Sequence, residues 1–293
     1  MKRLYFYALA VGLCCAACEH PDLSEFEDPE TGETVPTRKF TFTLKGDFSD
    51  DWKPVTRGYL AADGKDLTDV WVLDYMNGQL VQQVHQGDNT AADFGQPTMQ
   101  LAYGSHHVYF VASRGTTPTL DTEAKTITFG KVLDTFYKDY EVTVVSTSNG
   151  NRAVTLDRCV TKLKLIFSDA IPTDAAKFEI TPATWYYGIN YQTGAPTAAA
   201  SGQTVTVNIP DGSKGKSGES VNVYGFSTAA EWTADVTLCA KTAGDAVLGS
   251  ATLTAVPFKA NRCSEFTGPL FGSEGKMQLS LGSTWDDSYE GVW

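Results

Sequence analysis

Strict alternation of apolar and polar residues recurs along this chain, and it is typical of half-buried β-strands. Residues 39–45 show it most clearly, with Phe40, Phe42 and Leu44 on one face and Thr or Lys between them. We therefore predict a strand here that lays three large apolar side chains on a core.

The next strong pattern predicts a hairpin. Residues 70–75 and 79–84 are strand-like, and Asn77-Gly78 between them is a pair that accepts positive φ in a tight type I′ turn. Residues 131–138 are the only segment of this half for which a short helix is predicted. Further strands are predicted at residues 99–103, 108–112, 126–129 and 141–145.

A second run of strands starts near residue 155. Residues 159–167 place Leu163, Leu165 and Phe167 on one face, opposite Lys162 and Lys164. Later strands are predicted at residues 177–180, 205–209, 221–226, 232–240, 249–256 and 277–281. Many short strands separated by turn signals indicate an all-β chain with two tandem antiparallel β-sandwich domains, residues 39–155 and 156–293.

The amino-terminal segment has a different pattern. Lys2 and Arg3 precede an apolar stretch, residues 4–13, that is too short to span a bilayer as a mature helix. Small residues then lead to Cys18, and the whole resembles a bacterial lipoprotein signal, cleaved after residue 17 and acylated on Cys18. An ordinary secretory signal, with Cys18 incidental, is the alternative. Both interpretations take the chain out of the cytoplasm.

Residues 18–38 are predicted to form an acidic tether. Residues 19–33 contain seven Asp or Glu side chains and no Lys or Arg, which is typical of a segment that cannot form a core. Acidic residues directly after a lipidated cysteine also resemble the surface-export signal of Bacteroidetes lipoproteins. The formal net charge of −12 becomes −14 once Lys2 and Arg3 are removed, which argues against a nucleic-acid partner.

No arrangement of residues indicates an enzyme, a metal site or a cofactor. The adjacent His106 and His107 are expected on opposite faces of a strand, so they cannot bind one metal ion together. Cys159 and Cys239 fall within predicted strands and are interpreted as small buried hydrophobic residues. We expect a non-enzymatic protein.

One aromatic cluster leaves two interpretations open. Trp185, Tyr187 and Tyr191 lie close together in the sequence, and exposed aromatic rings on a β-sandwich can stack on sugars. That would make the chain a glycan-binding surface lipoprotein. Packing in a core or between domains is the other interpretation, and it is the one we favour.

Several stretches, taken in order, resemble the fimbrillins of Bacteroidales, the lipoprotein precursors of type V fimbriae. The similarity covers most of residues 39–293 and is loose within each stretch, so it depends on their order and on the lipoprotein signal. The similar stretches are residues 73–81, 101–104, 108–112, 156–163, 256–262 and 266–271.

The resemblance implies transthyretin-like sandwiches and a fimbrial subunit or anchor on the outer membrane surface that supports adhesion to host or bacterial ligands. It also implies assembly by strand exchange, in which a trypsin-like protease removes the first strand and a strand of a neighbouring subunit replaces it. Here the strand would be residues 39–45, and the processing site Arg57, with Arg38 a weaker candidate because it precedes the strand. Arg57 is equally well interpreted as an ordinary loop arginine. An anchor subunit would keep both its first strand and the lipid on Cys18.

Overall fold

The computed structural model describes residues 35–46, 58–59, 67–115, 118–272 and 278–282. Within them the chain forms twenty-one strands and one short 3-10 turn, Asp211–Ser213. The strands of the first half are β1 (Thr37–Gly46), β2 (Gly58–Tyr59), β3 (Asp69–Met76), β4 (Gln79–Gln86), β5 (Thr98–Ala102), β6 (Gly104–Ser113), β7 (Thr119–Asp121), β8 (Thr126–Thr128), β9 (Thr135–Val144), β10 (Asn151–Thr155) and β11 (Asp157–Arg158). Those of the second half are β12 (Val160–Phe167), β13 (Ala175–Pro182), β14 (Thr184–Asn190), β15 (Pro196–Ser201), β16 (Val205–Asn208), β17 (Ser220–Phe226), β18 (Trp232–Thr242), β19 (Val247–Phe258), β20 (Cys263–Gly268) and β21 (Gln278–Gly282).

The first half is a two-sheet sandwich. One sheet has the order β10-β1-β2, with β5 also paired to β1, and the other has the order β11-β9-β6-β3-β4. Phe40, Phe42 and Leu44 from the first sheet pack against Val72 and Phe110 from the second in one apolar core. The predicted first strand and the hairpin with its Asn77-Gly78 turn are both confirmed, with positive φ at both turn residues.

The second half forms another sandwich from the sheets β17-β12-β20-β21 and β16-β13-β18-β19. Leu163, Leu165 and Phe167 point into its core, where they meet Phe178 and Leu238 of the opposite sheet. The all-β fold class is therefore confirmed.

The described sheets are mostly antiparallel, as predicted, but two strand pairs within them are parallel. β1 pairs in parallel with β10, and β12 pairs in parallel with β20. Each parallel pair joins strands far apart in the sequence, so no tight turn has to connect them. The opening strand of each sandwich is thus held by a strand near the end of the same half.

A fifth sheet, β15-β14-β8-β7, pairs strands from both sides of residue 155. In addition, Leu73 and Tyr109, on the outer face of the β3–β6 sheet, belong to the core cluster of the second half. The sheet β11-β9-β6-β3-β4 is consequently covered on both faces around Leu73, Tyr109 and Val111. This explains why residues 70–75 are apolar almost throughout, a pattern typical of strands buried on both sides.

The predicted helix at residues 131–138 is wrong. Residues 131–134 form a loop and β9 begins at Thr135, pairing with β6 over ten residues. Phe136 belongs to the core of the first sandwich, whereas Tyr137 packs against the second core cluster. At these two positions the strand is apolar on both faces, so alternation with a period of two is lost and the pattern does not identify a strand. The end of β9 does alternate, and it overlaps the strand predicted at residues 141–145.

Candidate functional site: the amino-terminal strand and its groove

β1 lies inside its sheet and is hydrogen-bonded along both edges. On one edge the N–H groups of Phe42 and Leu44 donate to the carbonyls of Pro97 and Gly95, both at 3.0 Å. On the other edge the Thr41 N–H donates to the Gly150 carbonyl at 2.7 Å. If β1 left, two rows of backbone donors and acceptors would lose their partners, which is the template that an incoming strand needs.

The side chains of β1 add an apolar face to this template. Phe40, Phe42 and Leu44 are each 0% exposed. The ring of Phe42 meets Phe110 edge-on at 5.1 Å between centroids, and the Arg152 guanidinium lies 5.4 Å from the Phe40 ring centroid. Removal of β1 would therefore open an apolar groove, and an incoming strand would have to fill it with alternate side chains.

The two arginine candidates have different surroundings. The sequence places Arg38 before the strand, but in the structure it is the second residue of β1. There it pairs with Leu101, and its guanidinium donates to the carbonyl of Ser146. Its backbone therefore lies within a paired strand. Arg57 lies outside the described residues, but the next two residues form β2, which pairs with the end of β1 through Lys45 and Tyr59. Cys18 also lies outside the described residues.

The aromatic cluster is buried. Trp185 and Tyr191 are 0% exposed and Tyr187 is 9% exposed. The Trp185 indole N–H donates to the Tyr224 carbonyl at 3.1 Å, and its ring fills the space where a side chain at position 225 would otherwise lie. The hydroxyls of Tyr191 and Tyr75 are 2.7 Å apart, and burial raises the pKa of Tyr191. The exposed platform that sugar stacking requires is absent from these three residues.

The burial of the two predicted strand cysteines and the facing of the two adjacent histidines can be compared with the sequence predictions. Cys159 is a buried free thiol whose pKa is raised by burial, and Cys239 is a half-buried free thiol. His106 and His107 do point to opposite faces, His106 into the core and His107 outward. Sequence reasoning missed the partner of His106, the buried Asp74, because the two are 32 residues apart and meet only through the pairing of β3 with β6.

No helix in the described part of the chain has the length and apolar character needed to cross a bilayer. No family model matches the sequence, and no curated protein is similar to it.

Solved structures are similar to the chain in fold. One is a proposed adhesin from Bacteroides ovatus, with a TM-score of 0.51 and 15% identity, covering 84% of this chain and 93% of that one. Another is a proposed polysaccharide-binding protein from Bacteroides thetaiotaomicron, with a TM-score of 0.50 and 9% identity, covering 84% of this chain and 96% of that one. The tip fimbrial protein Mfa3 from Porphyromonas gingivalis aligns over 83% of this chain and 99% of its own length at 12% identity. Its TM-score of 0.45 is too low to establish a common fold. The first two similarities establish a shared fold across most of the described chain.

Proposed function

We propose that this chain is a structural subunit or anchor of a cell-surface fimbria, assembled by strand exchange and supporting adhesion. The observation that favours this role most is β1, a terminal strand with partners on both edges and three fully buried apolar side chains. The fold shared with a proposed adhesin and the order of fimbrillin-like stretches also support it.

The proposed cellular location is the surface of the outer membrane. Acylation of Cys18 would attach the chain by its lipid, and the acidic residues 19–33 would act as a solvated spacer between lipid and sandwich. Replacing Cys18 with Ala should release the protein from the membrane fraction. Retention of the variant in that fraction would refute attachment through lipid.

In the proposed assembly step, cleavage after Arg57 separates β1 from the rest of the chain. A strand from a neighbouring subunit then pairs with β10 on one side and with β5 on the other. Its backbone hydrogen bonds supply affinity, and its alternate side chains occupy the positions of Phe40, Phe42 and Leu44. An anchor subunit would remain uncut and keep both β1 and its lipid.

Limited digestion with an arginine-specific protease tests this step. Cleavage after Arg57 should convert the monomer to polymers on size-exclusion chromatography, whereas the Arg57→Gln variant should stay monomeric. Arg38→Gln is the matched control and should polymerise like the unmodified chain, because Arg38 lies within a paired strand. A cut chain that has lost β1 and remains monomeric would contradict the role of polymerising subunit.

A synthetic peptide of residues 37–46 tests whether polymerisation uses the groove that β1 leaves. Added to the cut chain, it should refill the groove and suppress polymerisation. The same peptide methylated on the Phe42 nitrogen loses the bond to the Pro97 carbonyl and should suppress polymerisation much less. Equal activity of the two peptides would argue that polymerisation does not use the groove of β1.

A further inference from the structure

Three side chains that can bind a metal ion meet on the outer face of the β6–β9 pair. His107 on β6 lies directly opposite Glu141 on β9, and Asp139 lies one position along the same face of β9. The His107 Nδ1 is 3.2 Å from an Asp139 carboxylate oxygen and 4.0 Å from a Glu141 carboxylate oxygen. The nitrogen and the two oxygens all lie within 4.8 Å of one another.

The backbone beneath this cluster is regular. β6 and β9 pair without a bulge from Gly104 opposite Val144 to Ser113 opposite Thr135. The imidazole of His107 also stacks on Tyr109, with a centroid distance of 6.0 Å and an angle of 17° between the rings. Tyr109 is itself buried and packs against Tyr75 and Tyr191. These contacts restrain the Tyr109 ring, and its stacking with the His107 ring favours the observed direction of Nδ1.

The cluster contains two carboxylates beside one imidazole. In the described part of the chain, the ion pairs of Asp139 and Glu141 are both with His107, and neither carboxylate forms one with Lys or Arg. Burial raises the pKa of the Tyr109 hydroxyl, and the negative charges of Asp139 and Glu141 raise it further. Two neighbouring carboxylates repel each other, and a bound cation would remove that repulsion.

We propose that His107, Asp139 and Glu141 form a binding site for a divalent transition-metal ion of the Zn²⁺ class. Donors around a tetrahedral Zn²⁺ ion are roughly 3.4 Å apart, given metal–ligand distances of about 2.0–2.2 Å, so small side-chain rotations would complete the set. An imidazole with two carboxylates suits Zn²⁺, whereas Ca²⁺ takes six to eight oxygen ligands. The side chains are 47%, 35% and 77% exposed, which leaves room for water as the remaining ligand. This proposal does not depend on the proposed fimbrial role.

Isothermal titration of the purified chain with ZnCl₂ tests the site, with His107→Asn and Glu141→Gln as the variants. All three ligands are at least one-third exposed, so neither change should impair folding. We expect His107→Asn to weaken binding at one equivalent of Zn²⁺ by about tenfold or more. Asp157→Asn removes another exposed carboxylate outside the cluster and should bind as the unmodified chain does.

Crystals soaked in ZnCl₂ give an independent readout. An anomalous peak at the zinc edge between His107 and Asp139 is expected, and it should be absent from His107→Asn crystals. Identical isotherms for the unmodified chain and His107→Asn, or zinc density elsewhere alone, would overturn the site. Displacement of Zn²⁺ by millimolar Ca²⁺ would overturn its assignment to a transition metal.

Discussion

His106 is a buried residue whose two ring nitrogens both face hydrogen-bond acceptors. Nδ1 lies 2.8 Å from an Asp74 carboxylate oxygen, and Nε2 lies 2.9 Å from the Ala102 carbonyl. Two acceptors require two N–H donors, so the charged imidazolium satisfies this site and the neutral ring does not. The bonds connect β3 and β6 with the end of β5, the antiparallel partner of β1.

This arrangement predicts a pH dependence of stability. Burial alone would lower the pKa of His106, but the hydrogen bond and charge of Asp74, with the Ala102 carbonyl, raise it above the usual value of 6.5. A raised pKa stabilises the fold below the unfolded-state pKa, and the benefit disappears as pH rises through the folded-state pKa.

Urea unfolding of the unmodified chain and of His106→Asn, repeated across pH 5 to 9, measures this effect. The unmodified chain should exceed the variant in unfolding free energy most at the acid end of that range, and the difference should shrink as pH rises. A difference that grows with pH would contradict a charged His106.

At the scale of elements, the close approach of β1 to the start of β10 depends on one glycine. The Gly150 carbonyl accepts the Thr41 N–H at 2.7 Å. A Cβ at position 150 would lie 2.1 Å from the carbonyl oxygen of Lys39, closer than any real Cβ contact. That neighbour is backbone, so β1 or the β9–β10 loop would have to shift.

Gly150→Ala should therefore lower the unfolding free energy by about 1–3 kcal/mol, the usual cost of overpacking. Gly130→Ala is the matched control, because a Cβ there meets nothing within 4 Å and the change should stay within about 0.5 kcal/mol. Denaturant unfolding measures both values. Hydrogen exchange at Phe42 and Leu44 should speed up in Gly150→Ala alone, and equal effects of the two variants would contradict this account.

A comparison of β1 with β9 shows which strands a sequence pattern can predict. β1 could be predicted because one of its faces is buried and the other is partly exposed, so its residues alternate. The start of β9 could not, because Phe136 and Tyr137 pack on opposite sides of the sheet, whereas the end of β9 lies within the strand predicted at residues 141–145. The same applies to the sites: alternation places His107 on the outer face of β6, but its neighbours Asp139 and Glu141 follow from the β6–β9 register, which no local pattern specifies.

For the molecule as a whole, the proposed division at residue 155 coincides with a buried ion pair. Arg158 donates from Nε and Nη2 to the two carboxylate oxygens of Asp134, at 2.7 and 2.9 Å. Its Nη1 donates to Asn261, in the turn between β19 and β20, at 3.2 Å. Arg158 therefore connects the start of β9 with the far end of the second half, beside a core cluster that includes residues of both halves.

Replacing Asp134 with Asn would remove the carboxylate that pairs with the buried Arg158 guanidinium, so the unfolding free energy should fall by about 3–5 kcal/mol. The neighbouring pair of Lys138 and Asp157 is solvent-exposed, and Lys138→Gln should cost no more than about 1 kcal/mol. Denaturant unfolding followed by both tryptophan fluorescence and far-UV circular dichroism measures the two costs. It also reports whether the halves unfold together, since a shared core predicts coincident transitions for the unmodified chain. If Asp134→Asn cost no more than Lys138→Gln, the buried pair would not stabilise the junction.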